Sequence, residues 1–284
     1  MADLVLQSGD NNPSVVEAQD LLNRNGALLD TDGSFGGGTE AAVREFQAAQ
    51  NLDVTGVIDA STWQSLRALP EPSPDIPTSI VAFIGQEEVG SCAEYETECS
   101  RPAWPGVESG VTIGVGYDLG QESGFEADWS DVLTPDQMSA LTPWVGIRGE
   151  AAKPGVAALA GITIPWNAAW TAFIRRSLPD YISETRNAFA GWDRLPKLCF
   201  GVLVDLVYNR GAGMTDSPPG SGNRQEMRDI RDAVASGQFQ TIPASLRAMK
   251  RLWPNAPGLQ GRRDREAALF EEGLAQQSSA SQTA

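Results

Sequence analysis

The 284-residue sequence contains no histidine. That absence removes several chemistries at once, because zinc hydrolases normally need His ligands and Ser or Cys hydrolases normally need a His base. Proton transfer near neutral pH then falls to a carboxyl group tuned by its surroundings. Cations are also scarce: 21 Lys and Arg stand against 37 Asp and Glu, a net charge of −16. Phosphate backbones are bound mainly through Lys and Arg, so nucleic acid is excluded as a partner. Cysteine is limited to Cys92, Cys99 and Cys199 without a CxxC spacing, which indicates neither a disulfide framework nor a metal site. Cys92 and Cys99 would close a small loop in an oxidising compartment, with three free thiols the equal alternative. No run approaches the roughly 20 apolar residues of a membrane span. The N-terminal stretch Met1 to Asp10 has neither the basic region nor the apolar run of a signal peptide. These features predict a monomer made in the cytoplasm without a signal peptide, not inserted in a membrane and using no metal or organic cofactor.

What is present divides the chain. Ala68 to Pro77 contains four prolines, which remove backbone donors and favour an extended connector. The expected organisation is a domain over 1–69, a linker over 70–77, a larger domain over 78–275 and a small, polar, disordered tail over 276–284. In the first domain Asn12-Pro13 reads as a cap and first turn, followed by Val15, Ala18, Gln19 and Leu22 at helical spacing. Thr39 is expected to cap a second helix with Ala42, Val43 and Phe46, and Asp59 a third with Thr62, Trp63 and Leu66. Phe35, Phe46 and Trp63 are the expected small core. The turns Asp32-Gly-Ser-Phe-Gly36 and Thr55-Gly-Val-Ile-Asp59 precede the later helices with similar chemistry. This order resembles the three-helix type of peptidoglycan-binding module over roughly residues 3 to 69. The resemblance implies bacterial peptidoglycan as the partner; with a net charge of −16, binding is expected through local hydrogen bonds and stacking on sugars and not through overall charge.

The second domain reads as mainly helical. Ile80, Phe83 and Ile84 recur at helical spacing after Thr78-Ser79. Thr134-Pro-Asp-Gln137 is a capping box. Leu198 to Tyr208 is apolar nearly all round, as in a helix through a domain centre, with Gly211 as its C-terminal cap. Further helices are expected over Ile242 to Trp253 and Leu259 to Leu274. The exception is Ser109-Gly-Val-Thr-Ile-Gly-Val-Gly-Tyr-Asp-Leu-Gly120, where Val111, Ile113 and Val115 alternate between glycines. That is a short hairpin, presenting Thr112 and Asp118 beside a turn. The fold class is therefore mainly α (α+β): a three-helix bundle followed by a helical domain with a small β-hairpin lobe.

Three residues compose a candidate catalytic group. Glu88 follows Ile84 by four positions and is expected to share its inward face, where burial would raise its pKa and suit it as a general acid. Thr112 is placed to hold a water through its hydroxyl, and Asp118 to act as base or electrostatic stabiliser. Each has a competitor: Glu87 as the inward carboxyl, Glu108 as the second carboxylate, and purely structural roles for Thr112 in the strand and Asp118 in the turn. Tyr117 is the candidate for lining a sugar groove.

Several stretches resemble the lysozyme-like muramidases of phages and of the bacteriocin pesticin. These are Glu88-Val-Gly-Ser91, Arg101-Pro-Ala-Trp-Pro105, Ser109 to Gly120, Leu203 to Gly211 and Arg262-Arg-Asp-Arg-Glu266. The resemblance implies a lysozyme-like catalytic domain that hydrolyses the β-1,4 bond between N-acetylmuramic acid and N-acetylglucosamine. It also implies a bacteriolytic endolysin that acts on the cell wall after release. Simple phage lysozymes carry an acidic residue and a His where Gly106 and Tyr117 stand, so the second-carboxylate role rests on Asp118, as in the pesticin-like branch. A lytic transglycosylase and a catalytically inactive wall-binding component are the alternatives.

Overall fold

The computed structural model describes residues 4–283, with side chains described through Ser279. The fold is mainly helical, and its only named sheet among the described residues is a two-stranded hairpin. The chain packs as two compact units, Met1–Pro72 with Val81–Leu178 and Ser73–Ile80 with Pro179–Ala284.

In the first unit, α1 (Pro13–Arg24), α2 (Gly37–Ala49) and α3 (Ala60–Arg67) form the expected bundle. The Asn12 side chain accepts from the amides of Ser14 and Val15, and Asp59 accepts from the amide of Thr62. Thr39 does not cap α2: Gly36 holds that position with extended backbone, and Thr39 is buried one turn inside. Its hydroxyl accepts from Nε2 of Gln19 at 3.3 Å, so a tertiary hydrogen bond takes the place of a local cap. Phe35, Phe46 and Trp63 lie in the core with Leu6, Val15, Leu22 and Ile58, each large side chain contributing about 1.5–3 kcal/mol through burial.

The two similar turns are held by two buried glutamines. Gln19 Oε1 accepts from the amide of Gly33, while its Nε2 donates to Asp32 and the Ser34 carbonyl. Gln47 Oε1 accepts from the amides of Thr55 and Gly56, and its Nε2 donates to the Val57 carbonyl and Thr62.

The first unit breaks off at Pro72, inside the proline-rich stretch, and resumes at Val81. Within that unit the N-terminal bundle packs against residues far along the chain. Trp166 Nε1 and Cys92 Sγ both reach the Gly26 carbonyl, at 2.8 and 3.0 Å, and Trp170 Nε1 donates to the Arg24 carbonyl at 3.3 Å. Gly85 accepts Leu28 so closely that an added Cβ would lie 2.6 Å from the leucine side chain. Aromatic surface buried against the small bundle stabilises its packing on these later residues. Cys92, Cys99 and Cys199 are free thiols.

In the second unit the helix Lys197–Arg210 is buried from Leu198 to Val207 and ends at Gly211, with φ of 69°. Against it runs the helix Pro257–Thr283. Arg262 grips Asp205 with two bonds, of 2.6 and 3.2 Å, and Arg263 contacts Glu266 at 2.5 Å; all four side chains are buried. This helix continues through 276–283, where composition predicts a disordered tail. Ser278 and Ser279 hydroxyls donate to the carbonyls of Leu274 and Ala275, one turn earlier on the same helix; Ala284 lies outside the described residues. The helix Gln225–Ser236 was not anticipated, although Met227, Ile230, Ala233 and Val234 bury one face at helical spacing. No helix among the described residues is long and apolar enough to cross a membrane.

Candidate active site

The glycine-rich segment forms the expected hairpin from β1 (Thr112–Ile113) and β2 (Tyr117–Asp118). Thr112 pairs with Asp118 and Ile113 with Tyr117. The flanking bond from the Leu119 amide to the Val111 carbonyl, at 2.9 Å, makes Thr112 and Asp118 a non-hydrogen-bonded pair, the type in which facing side chains come closest. The backbone of Thr112 is occupied on its other edge, exchanging bonds of 2.7 and 2.9 Å with Ala103. Both residues are half-buried, whereas Ile113, Val115 and Tyr117 turn into the core.

Asp118 is tied down by backbone donors. Its Oδ1 accepts from the amide of Gly110 at 2.9 Å and of Gly120 at 2.8 Å, and its Oδ2 accepts from Gln121 Nε2 at 2.8 Å. The contact to Gly120, two residues on, is an Asx turn, so the structural role weighed for this carboxylate is present. The two glycines are needed for close approach: a Cβ on Gly110 would stand 2.4 Å from the Gly120 nitrogen and 2.5 Å from Asp118 Oδ1. Sequence reading did not identify this clamp. Its signal was the placement of Gly110 and Gly120 at equal distances either side of Val115. The Thr112 hydroxyl makes no side-chain hydrogen bond among the described residues.

Two expectations need correction. Tyr117 does not line a groove: it is 2% exposed, edge-on to Trp129 with ring centroids 5.4 Å apart, and its hydroxyl donates to Asp128 Oδ2 at 2.7 Å. Burial, and then the bond to Asp128, push its phenol well above the ordinary value. A strand residue next to Asp118 must face the opposite side of the hairpin, which here is the core.

Glu88 lies in the last turn of α4 (Thr78–Val89), but its side chain is exposed and that of Glu87 is half-buried. The inward face inferred from Ile84 fails because Ile80 to Gly85 are buried without interruption, so the helix has no single inward face before it emerges. Protein burial therefore does not desolvate the Glu88 carboxyl. Exposure does leave it accessible to a ligand. Glu108 is exposed on the loop before β1.

Comparison with known proteins matches residues 11–66 to the family described as putative peptidoglycan binding domain. Among solved structures the chain is similar to "Crystal structure of Burkholderia AP3 phage endolysin", at 16% identity and a TM-score of 0.23, covering 96% of this chain and 99% of that one. Comparison with curated proteins gives no match. The chain thus joins a segment of peptidoglycan-binding type to a predominantly helical remainder that carries the glycine-rich hairpin.

Proposed function

We propose that this chain is a peptidoglycan hydrolase of the muramidase kind, cleaving the β-1,4 bond between N-acetylmuramic acid and N-acetylglucosamine. The observation that carries the reading is the Thr112–Asp118 pair. It sets a hydroxyl with no other side-chain partner opposite a carboxylate whose Oδ1 is fixed by two backbone amides. Such a pair is suited to hold and polarise a water, with Asp118 Oδ2 nearest the role of base.

Glu88 is assigned as the proton donor to the leaving oxygen. An acid must reach that oxygen, and Glu88 is the more accessible of the two adjacent carboxyls. Its desolvation is supplied by the sugar that covers it and not by the protein. The peptidoglycan-binding segment supports the choice of polymer. The chemistry assigned is that of an endolysin acting on the wall after release.

The test is digestion of purified sacculi by wild type, Glu88→Gln and Glu87→Gln, with the products identified by mass spectrometry. The expected result is reducing N-acetylmuramic acid ends from wild type. Loss of a general acid should slow Glu88→Gln by about 10²–10⁴ fold, while Glu87→Gln stays active. Full activity in Glu88→Gln removes the acid assignment. Products consisting only of 1,6-anhydro ends replace hydrolysis by transglycosylation.

A further inference from the structure

Asp118 has a third partner besides the two glycine amides. Those amides both bond to Oδ1, whereas Oδ2 accepts from Gln121 Nε2 at 2.8 Å. Gln121 is the one protein donor to Oδ2 among the described residues. An ionised carboxylate offers roughly four acceptor sites, divided between its two oxygens. The amides fill Oδ1 and Gln121 takes one site of Oδ2, so a single site on Oδ2 is left to receive a proton from water.

Gln121 is exposed, yet the chain around it is held on both sides. Its own amide and that of Glu122 donate to the Asp118 carbonyl, each at 3.0 Å. Glu122 lies 3.6 Å from Arg176, Arg176 lies 3.7 Å from Asp128, and Asp128 accepts from the buried Tyr117, the residue before Asp118. The short segment carrying Gln121 is thus tied back to the strand carrying Asp118. The amides of Gly110 and Gly120 already close the turn through Oδ1, and an exposed glutamine adds no core packing. What its side chain adds is a fixed donor on the oxygen that faces the chemistry.

We propose that Gln121 is a positioning residue for hydrolysis: it occupies one acceptor site of Asp118 Oδ2 and directs the other to the water that Thr112 holds. The assignment rests on the muramidase reading above and adds to it the group that orients the base. No bond to Gln121 forms or breaks. The water proton passes to Asp118 Oδ2 as the water oxygen attacks the anomeric carbon, and the leaving oxygen takes its proton from Glu88. Without the Gln121 donor, solvent competes for both sites of Oδ2 and the attacking water has two places to sit, one of them unproductive.

The experiment measures kcat and KM from the release of reducing ends on soluble, uncross-linked glycan strands. Wild type is compared with Gln121→Ala, Gln121→Glu and Gln121→Lys, and Gln121→Ala is repeated in the Asp118→Asn background, with melting temperatures for every variant. The expected result for Gln121→Ala is kcat about tenfold lower at unchanged KM and melting temperature, as for loss of one hydrogen bond to a charged acceptor. Gln121→Glu keeps the shape but removes the donor and sets a like charge against Asp118, so its kcat falls at least as far. Gln121→Lys restores a donor and recovers most of kcat. In the Asp118→Asn background Gln121→Ala costs nothing further, because residues that act as a unit are not additive.

Wild-type kcat in Gln121→Ala, or the same tenfold loss in the Asp118→Asn background, overturns the positioning role and leaves the muramidase reading standing. So does an equal loss in all three variants with a lowered melting temperature, which would make Gln121 a structural residue of the turn. Full activity in Asp118→Asn, or no reducing ends from wild type, overturns both.

Discussion

Thr112 and Asp118 face each other across the hairpin as a non-hydrogen-bonded pair, and the carboxylate of Asp118 is held by the amides of Gly110 and Gly120. One side chain therefore serves two purposes: it closes the hairpin and presents a carboxylate beside a hydroxyl. These purposes can be separated by mutation.

Asp118→Asn keeps an acceptor oxygen for both amides and removes the negative charge. Its melting temperature is expected to stay close to that of wild type, while muropeptide release falls by about 10²–10⁴ fold. Asp118→Ala leaves two amides without their partner and is expected to lose about 1–3 kcal/mol of stability as well. Thermal denaturation followed by circular dichroism, with a sacculus digestion assay, distinguishes the two. Full activity in Asp118→Asn would reduce the residue to its turn-closing role.

Gly110→Ala is expected to destabilise the hairpin although only a methyl group is added. The new Cβ would meet the Gly120 nitrogen at 2.4 Å, which is backbone that cannot swing aside. Overpacking of this kind costs about 1–3 kcal/mol. Gly106→Ala is no control, because Gly106 has φ of 97°. Gly258→Ala is a suitable control, since nothing lies within 4 Å of its added Cβ and its φ is not positive. Equal melting temperatures for the Gly110 and Gly258 variants would contradict the close approach.

In the second unit, Asp205→Asn should be costly. Arg262 would keep its buried position and lose the carboxylate that grips it with two bonds. Removing one partner of a buried pair typically costs about 3–5 kcal/mol. The chemical denaturation midpoint measures this, and a loss below 1 kcal/mol would show that solvent or a rearranged neighbour compensates the arginine.

Asp59 provides a pH dependence of known sign. The Thr62 amide, followed by the hydroxyls of Ser61 and Thr62, holds its carboxyl below the ordinary value of 3.8. Because the folded value is lowered, the contribution is present in full above 3.8 and is lost as pH falls through the folded value. Asp59→Asn preserves the cap and removes the titration. Wild type should therefore lose more stability than the variant on acidification below that range. Parallel melting curves across pH would count against it.

Much of the fold was legible because its signals are local. Asn12-Pro13, Asp59 and the Thr134-Gln137 capping box act within a few residues, and the helix from Leu198 is apolar along its length; all appear where the sequence places them. Glu88 was misread because a helix entering a core on several sides carries no single inward face. Tyr117 was misread because the alternation that turns Val111, Ile113 and Val115 inward, and Asp118 outward, also applies to it. The helix Gln225–Ser236 had a readable period and was missed.

Composition and short-range patterns were enough to exclude His chemistry and to read the three-helix bundle with its capped turns and the hairpin that carries Thr112 and Asp118. These follow from composition and from interactions spanning a few residues. The folded chain was needed to show that Thr112 pairs with Asp118, that Gly110 and Gly120 meet at the Asp118 carboxylate, that Glu88 is exposed and that the bundle packs on Trp166 and Trp170. The contacts on those tryptophans join residues more than a hundred positions apart, where shape and buried area decide the pairing and no local pattern encodes it.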